Sequence, residues 1–100
     1  MTTSTIEIRS ALAQDVRVTE EALEVDLCDG RSASAPLAWC PRLVHGTRKE
    51  RAHWRLIGNG EGIHWPDLDE DVSVESILSG RTSAESARSL EQWLQSRKTP

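Results

Sequence analysis

Five side chains in this sequence have the chemistry to hold zinc or to attack and relay protons: Cys28, Cys40, His45, His53 and His64. A zinc site usually draws paired ligands from short spacings such as Cys-x-x-Cys or His-x3-His, and no pair here has one. A thiol nucleophile needs a base beside it, and nothing in the order of residues places a histidine next to either cysteine. Cys28 falls at a strand end and Cys40 in an apolar helix start, so both read as small core or near-core residues. His64 lies between Ile63 and Trp65 and, in a strand, points opposite to both, toward the more exposed face. A small enzyme using His64 beside the glycine-rich turn is one reading, but no positioned acid–base pair is legible.

Two further motifs invoke binding chemistry. Asp67-Leu68-Asp69-Glu70-Asp71 has the alternate carboxylates of a calcium loop. Val72 stands where that loop needs glycine, and Leu78 where it needs a bidentate glutamate. The run reads instead as turn, helix cap and exposed acidic face. Gly58, Gly60 and Gly62 have the look of a phosphate loop, but no Lys-Ser or Lys-Thr follows and a strand comes next, so they read as a tight turn. No metal and no cofactor is expected.

Binding to other macromolecules is the remaining chemistry. The chain carries 12 Lys and Arg against 16 Asp and Glu, a net charge of −4. The charge is blocked: 61–75 holds six acids and no base, while 31–60 holds six bases and one acid. Arg48, Lys49, Arg51 and Arg55 form a basic patch that could meet nucleic acid. A net negative chain has little long-range attraction for phosphate, so a solvated helix face is the plainer reading. Asp67, Asp69 and Asp71 complement a basic protein partner. His64 and Trp93 join them as partner-binding candidates, Trp93 because indoles are enriched at binding hot spots.

The elements that must position these residues follow from hydrophobic period and turn chemistry. Val16 and Val18, then Leu23, Val25 and Leu27, alternate with charged residues and predict two half-buried strands joined through Thr19–Glu21. Asp29-Gly30 predicts a hairpin into a third strand at 32–35, ended by Pro36. Pro41 opens a short helix that His45-Gly46 stops. Thr47-Arg48-Lys49-Glu50 is a capping box for the next helix. Trp54–Ile57 and Ile63–Trp65 flank the glycine-rich turn as a second hairpin, whose Trp54 and Trp65 are expected to pair. Asp71 or Ser73 caps a helix containing Val74, Ile77 and Leu78, terminated by Gly80. Thr82-Ser83-Ala84-Glu85 is a second capping box, opening a helix over about 83–97 with Ala84, Ala87, Leu90 and Leu94 on one face.

At 100 residues and 37% hydrophobic content the chain is expected to be one domain. Residues 1–14 read as a flexible tail, 15–80 as a single α+β domain, and 81–100 as a C-terminal helix of the same domain or facing a partner. No apolar stretch reaches a membrane span and the N-terminus lacks the pattern of a signal peptide, so a cytoplasmic protein with no membrane partner is expected.

The segment from Leu56 to Ser73, with the Asp29-Gly30 hairpin and Pro36–Leu43, resembles a bacterial family of small proteins called domain of unknown function 2442. Ile63-His64-Trp65-Pro66 followed by Leu68-Asp69-Glu70-Asp71 carries the resemblance, which spans about residues 12–80. It implies a compact α+β domain and offers no catalytic residues to carry over. For some members it also implies a setting similar to toxin–antitoxin pairs, in which they are encoded beside a small basic protein. Other members carry a fused helix-turn-helix, for which this chain has no room beyond its last helix. The expected fold is therefore α+β: a hairpin-rich antiparallel sheet, short helices and an amphipathic C-terminal helix. The expected function is a non-enzymatic protein-interaction module, antitoxin-like, partnered by a small basic protein or by itself as a homodimer. The alternative is a DNA-binding or autoregulatory accessory protein using the Arg48–Arg55 patch.

Overall fold

A computed structural model of the protein describes residues 11–82 and 85–98. Three strands, β1 (Ala13–Val18), β2 (Ala22–Leu27) and β3 (Ser32–Pro36), form an antiparallel sheet in the order β1-β2-β3. The alternation seen in the sequence has its physical cause here, because Leu23, Val25 and Leu27 all face the core. Burying each such side chain stabilises the fold by about 1.5–3 kcal/mol. The Thr19 hydroxyl accepts the amides of Glu21 and Ala22 and closes the first turn. At the second turn Gly30 takes a φ of +95°, a conformation a Cβ would strain.

A 3₁₀ turn (Leu37–Trp39) leads into two short helices, α1 (Pro41–Val44) and α2 (Arg48–Ala52). The capping box of α2 forms as expected: the Thr47 hydroxyl accepts from Glu50 N–H at 3.1 Å, and the Glu50 carboxylate accepts from Thr47 N–H at 2.8 Å. A second antiparallel sheet follows, β4 (Arg55–Ile57), β5 (Gly62–Trp65) and β6 (Glu70–Ser73), in the order β4-β5-β6. The turn before β5 holds this sheet to the first one. Gly60 has φ +100°, and a Cβ there would sit 2.7 Å from the Ala13 carbonyl oxygen. Ser73 caps α3 (Val74–Ser79), and Gly80 ends it in the left-handed conformation. The last helix is α4 (Ala87–Lys98). Trp65, Ile63, Leu68 and Leu43 join the first sheet's leucines in one core. The Trp65 indole N–H is satisfied by the Arg51 carbonyl at 3.0 Å.

Four expectations need correction. Residues 1–10 of the expected tail lie outside the described residues, but Ala11 and Ala13 are buried, Leu12 accepts a hydrogen bond from Cys28 N–H, and strand β1 begins at Ala13, so 11–14 pack with the body of the domain. The acidic run is not only turn and cap: its last two acids begin strand β6. Helix α4 begins at Ala87. Ser83 and Ala84 of the expected capping box lie outside the described residues, and the Ser86 hydroxyl accepts the amide of Ser89. Cys28 is exposed, whereas Cys40 is buried as expected.

Candidate functional site

The chemistry-bearing residues gather around β6. All four of its residues line a cleft of about 390 Å³, whose other walls are Ala35, Trp39, Cys40, Ile57, Gly62, Ser76 and Ile77 of α3, and Arg81 and Thr82 beyond it. That volume lies at the low end of ligand-sized pockets, about 300–1,000 Å³. The strand exists because Ile63 pairs with Val72 and Trp65 with Glu70, which puts the Glu70 side chain on the core-facing side. Burial pushes the Glu70 carboxyl up to about 6, against the attraction of Arg42. The Cys40 thiol on the facing wall is pushed up to about 11, chiefly by burial and further by the Glu70 charge. Cys40 is therefore a protonated thiol at neutral pH, not a nucleophile.

The alternate residue of β6, Asp71, faces His64 across the ladder. The His64 Nδ1 lies 2.5 Å from an Asp71 carboxylate oxygen. The His64 side chain is 20% exposed, which agrees with its expected direction away from Ile63 and Trp65. A carboxylate on one imidazole nitrogen is the orienting half of a catalytic triad. Among the described residues no hydroxyl or thiol is hydrogen-bonded to His64.

The structure places the other acids nearby but apart. Asp67 meets His53 at 2.7 Å, and the Asp69 carboxylate is 3.7 Å from Arg42. The side chains of Asp67, Asp69 and Asp71 remain 42%, 87% and 67% exposed.

Arg42 is the hub that sequence reading missed. Its guanidinium binds both Glu85 oxygens, at 2.7 and 2.9 Å, and the Asp69 carbonyl at 3.2 Å. It also lies 4.9 Å from the Trp93 ring centre, while Arg97 lies 4.8 Å from the same centre. Arg97 in turn pairs with Glu50 at 2.8 Å. Trp93 is thus held within its own chain by two cations, so it is not the freely exposed anchor expected. The signal available in the sequence was one of opposite charges: Arg42 and Glu85, Glu50 and Arg97.

The basic patch is divided. Arg51 is buried, donating to the carbonyls of Leu43 at 2.8 Å and Val44 at 2.9 Å and meeting Glu20 at 3.3 Å. It is not available to phosphate. Arg48, Lys49 and Arg55 are exposed.

Two solved structures share this fold. One is a protein of unknown function from Rhodospirillum rubrum ATCC 11170, 23% identical, with a TM-score of 0.66 over 75% of this chain and 93% of that one. The other is an uncharacterized protein from Chromobacterium violaceum, 19% identical, with a TM-score of 0.65 over 89% of this chain and 82% of that one. No curated protein matches the sequence. The sequence profile of the family described as protein of unknown function (DUF2442) matches residues 13–83, and the chain belongs to that family.

Proposed function

We propose that the chain is a non-enzymatic protein-interaction module, the antitoxin-like member of a two-gene pair, and that its partner is a small basic protein. The observation that carries this reading is the exposure of Asp67, Asp69 and Asp71 on one short stretch beside the cleft. Asp67 and Asp71 each meet a histidine, His53 and His64, and the Asp69 carboxylate lies 3.7 Å from Arg42. Such a strip accelerates encounter with a positive partner and fixes its orientation more than it adds raw affinity.

Purification of the tagged chain from its source cells, with mass spectrometry and light scattering, names the partner and the stoichiometry. The expected product is a defined complex with a basic protein, and recovery of the chain alone as a monomer or homodimer overturns the reading. With the pair purified, Asp67→Asn, Asp69→Asn and Asp71→Asn together are expected to lower the association rate about tenfold at low salt and to flatten its salt dependence. An unchanged rate contradicts the electrostatic argument.

The exposure of Arg48, Lys49 and Arg55 favours a second reading, DNA binding by the chain or its complex. With Arg51 withdrawn the patch offers about three phosphate contacts, so log affinity should fall against log salt with a slope near −2.7. Absence of a salt-dependent gel shift removes this reading.

A further inference from the structure

The parity of the β5–β6 ladder decides where the polar backbone of β6 points. Val74 N–H donates to the Glu61 carbonyl at 2.9 Å, just beyond the paired Gly62 and Ser73. In an antiparallel pair, hydrogen-bonded and non-hydrogen-bonded positions alternate. Ile63–Val72 and Trp65–Glu70 are then the bonded pairs, and Gly62–Ser73 and His64–Asp71 are not. The N–H and C=O groups of Asp71 and Ser73 therefore project away from β5, on the outer side of the sheet's last strand. The Ser73 carbonyl, at the N-cap of α3, is taken up by the first intrahelical bond and by the Ser76 hydroxyl at 2.8 Å, and the outward Asp71 amide is turned to the Glu70 carboxylate, which leaves the Asp71 carbonyl and the Ser73 amide as the groups offered along this edge.

The cleft provides the space along this strand, and its lining selects what can enter. Ile57, unusually exposed for its type, and Ile77 supply apolar surface, while Trp39 presents an indole. Glu70 and Asp71 supply negative charge, and the cleft's cation, Arg81, is 3.3 Å from Glu75. Glu70 makes no ion pair with any described residue. Its own-chain hydrogen-bonding contact is the outward amide of Asp71. A carboxylate half-buried beside an open strand edge calls for a cation and a chain of amides together.

We infer that β6 is a strand-addition site: an extended segment of a basic protein donates to the Asp71 carbonyl, accepts from the Ser73 amide and places a lysine or arginine on Glu70, beside Trp39. This rests on the reading that the partner is basic, and it names the surface and the mode of recognition. Strand addition derives affinity from backbone bonds and specificity from the side-chain pockets beside them. A cation over an indole and against a desolvated carboxylate gains from both.

The test needs no knowledge of the natural partner. The probe is a capped heptapeptide, Thr-Val-Thr-Lys-Thr-Val-Thr, titrated into the full ¹⁵N-labelled chain at neutral pH. One control carries Glu in place of Lys, and another carries N-methyl groups on alternate amides. The lysine peptide is expected to give saturable shifts at the amides of Gly62, Asp71 and Ser73 and at the Trp39 indole. Glu70→Gln, which keeps the side chain's shape, is expected to weaken it about tenfold. The N-methyl peptide is expected not to bind. No saturable shift at millimolar peptide overturns the inference, as does equal binding of the glutamate or N-methyl control. The purified natural partner separates the two readings. If it shifts Asp67 and Asp69 but leaves Asp71, Ser73 and Trp39 unmoved, strand addition fails and the partner reading stands.

Discussion

Glu70 is a residue at odds with its own fold. Its carboxyl titrates near 6 in the folded chain, above the ordinary 4.5, because burial disfavours the charge. The folded state therefore holds this proton more tightly than the unfolded chain does. Ionised Glu70 destabilises the fold above the folded pKa, and the penalty fades as pH falls from about 6 to below 4.5. Arg42 and the Asp71 amide moderate the penalty, while the charges of Glu85 and Asp71 add to it. A shift of this size is about 2 kcal/mol, reduced to about 1 kcal/mol because the group is only partly buried. Glu70→Gln is thus expected to raise stability by about 1 kcal/mol near neutral pH and to be without effect near pH 4, read as urea midpoints at the two pH values. The opposite lesson comes from Arg51. In the sequence it is one of four neighbouring cations, and nothing in residue type separates it from Arg48 or Lys49. Only the turn of α2 directs it inward, where it satisfies two carbonyl groups. Arg51→Ala should cost about 2–3 kcal/mol in urea unfolding, while Arg48→Ala and Lys49→Ala should stay within about 0.5 kcal/mol.

Elements announced by turn and cap chemistry were legible, because those signals are local. Asp29-Gly30, the Thr47–Glu50 box, Ser73 and Gly80 each act through a bond or a dihedral within a few residues. Strand β6 was not legible. Only Val72 among its four residues is apolar, and the acid at its core-facing position, Glu70, hides the alternation that would have revealed it. Helix α4 starts at Ala87, where the Ser86 hydroxyl accepts the Ser89 amide, while Glu85 binds the distant Arg42. Helix α4 is held by charge and indole contacts more than by burial, since Leu90, Trp93 and Leu94 are all only half-buried. Each cation–π contact at a partly exposed site contributes about 0.5–1 kcal/mol. Trp93→Ala should therefore release α4 while both sheets persist. Hydrogen exchange is the measurement: α4 amides lose protection, and those of β2 and β5 keep theirs. Simultaneous loss in the sheets would show that the helix is integral to the core.

Across the whole molecule, α+β character was visible in the sequence, but the division into two three-stranded sheets was not. Sheet membership depends on contacts between residues far apart in the chain, such as Gly60 against Ala13, and one-dimensional patterning carries no record of them. The same holds for the site. His64 and the three aspartates were visible as residue types, whereas the cleft that assembles Trp39, Cys40 and Glu70 exists only after folding. The distribution of charge follows the same division: cations are drawn into the body at Arg42 and Arg51, leaving acids on the rim. The aromatic content has a practical outcome. With no Tyr and no Phe, the four indoles account for all of the chain's near-ultraviolet emission apart from minor terms. Trp65, sealed in the core, is a constant blue-shifted background, while Trp39 stands in the wall of the cleft. The protein therefore carries an intrinsic optical probe at its strand edge, and occupancy can be followed by fluorescence without attaching a dye.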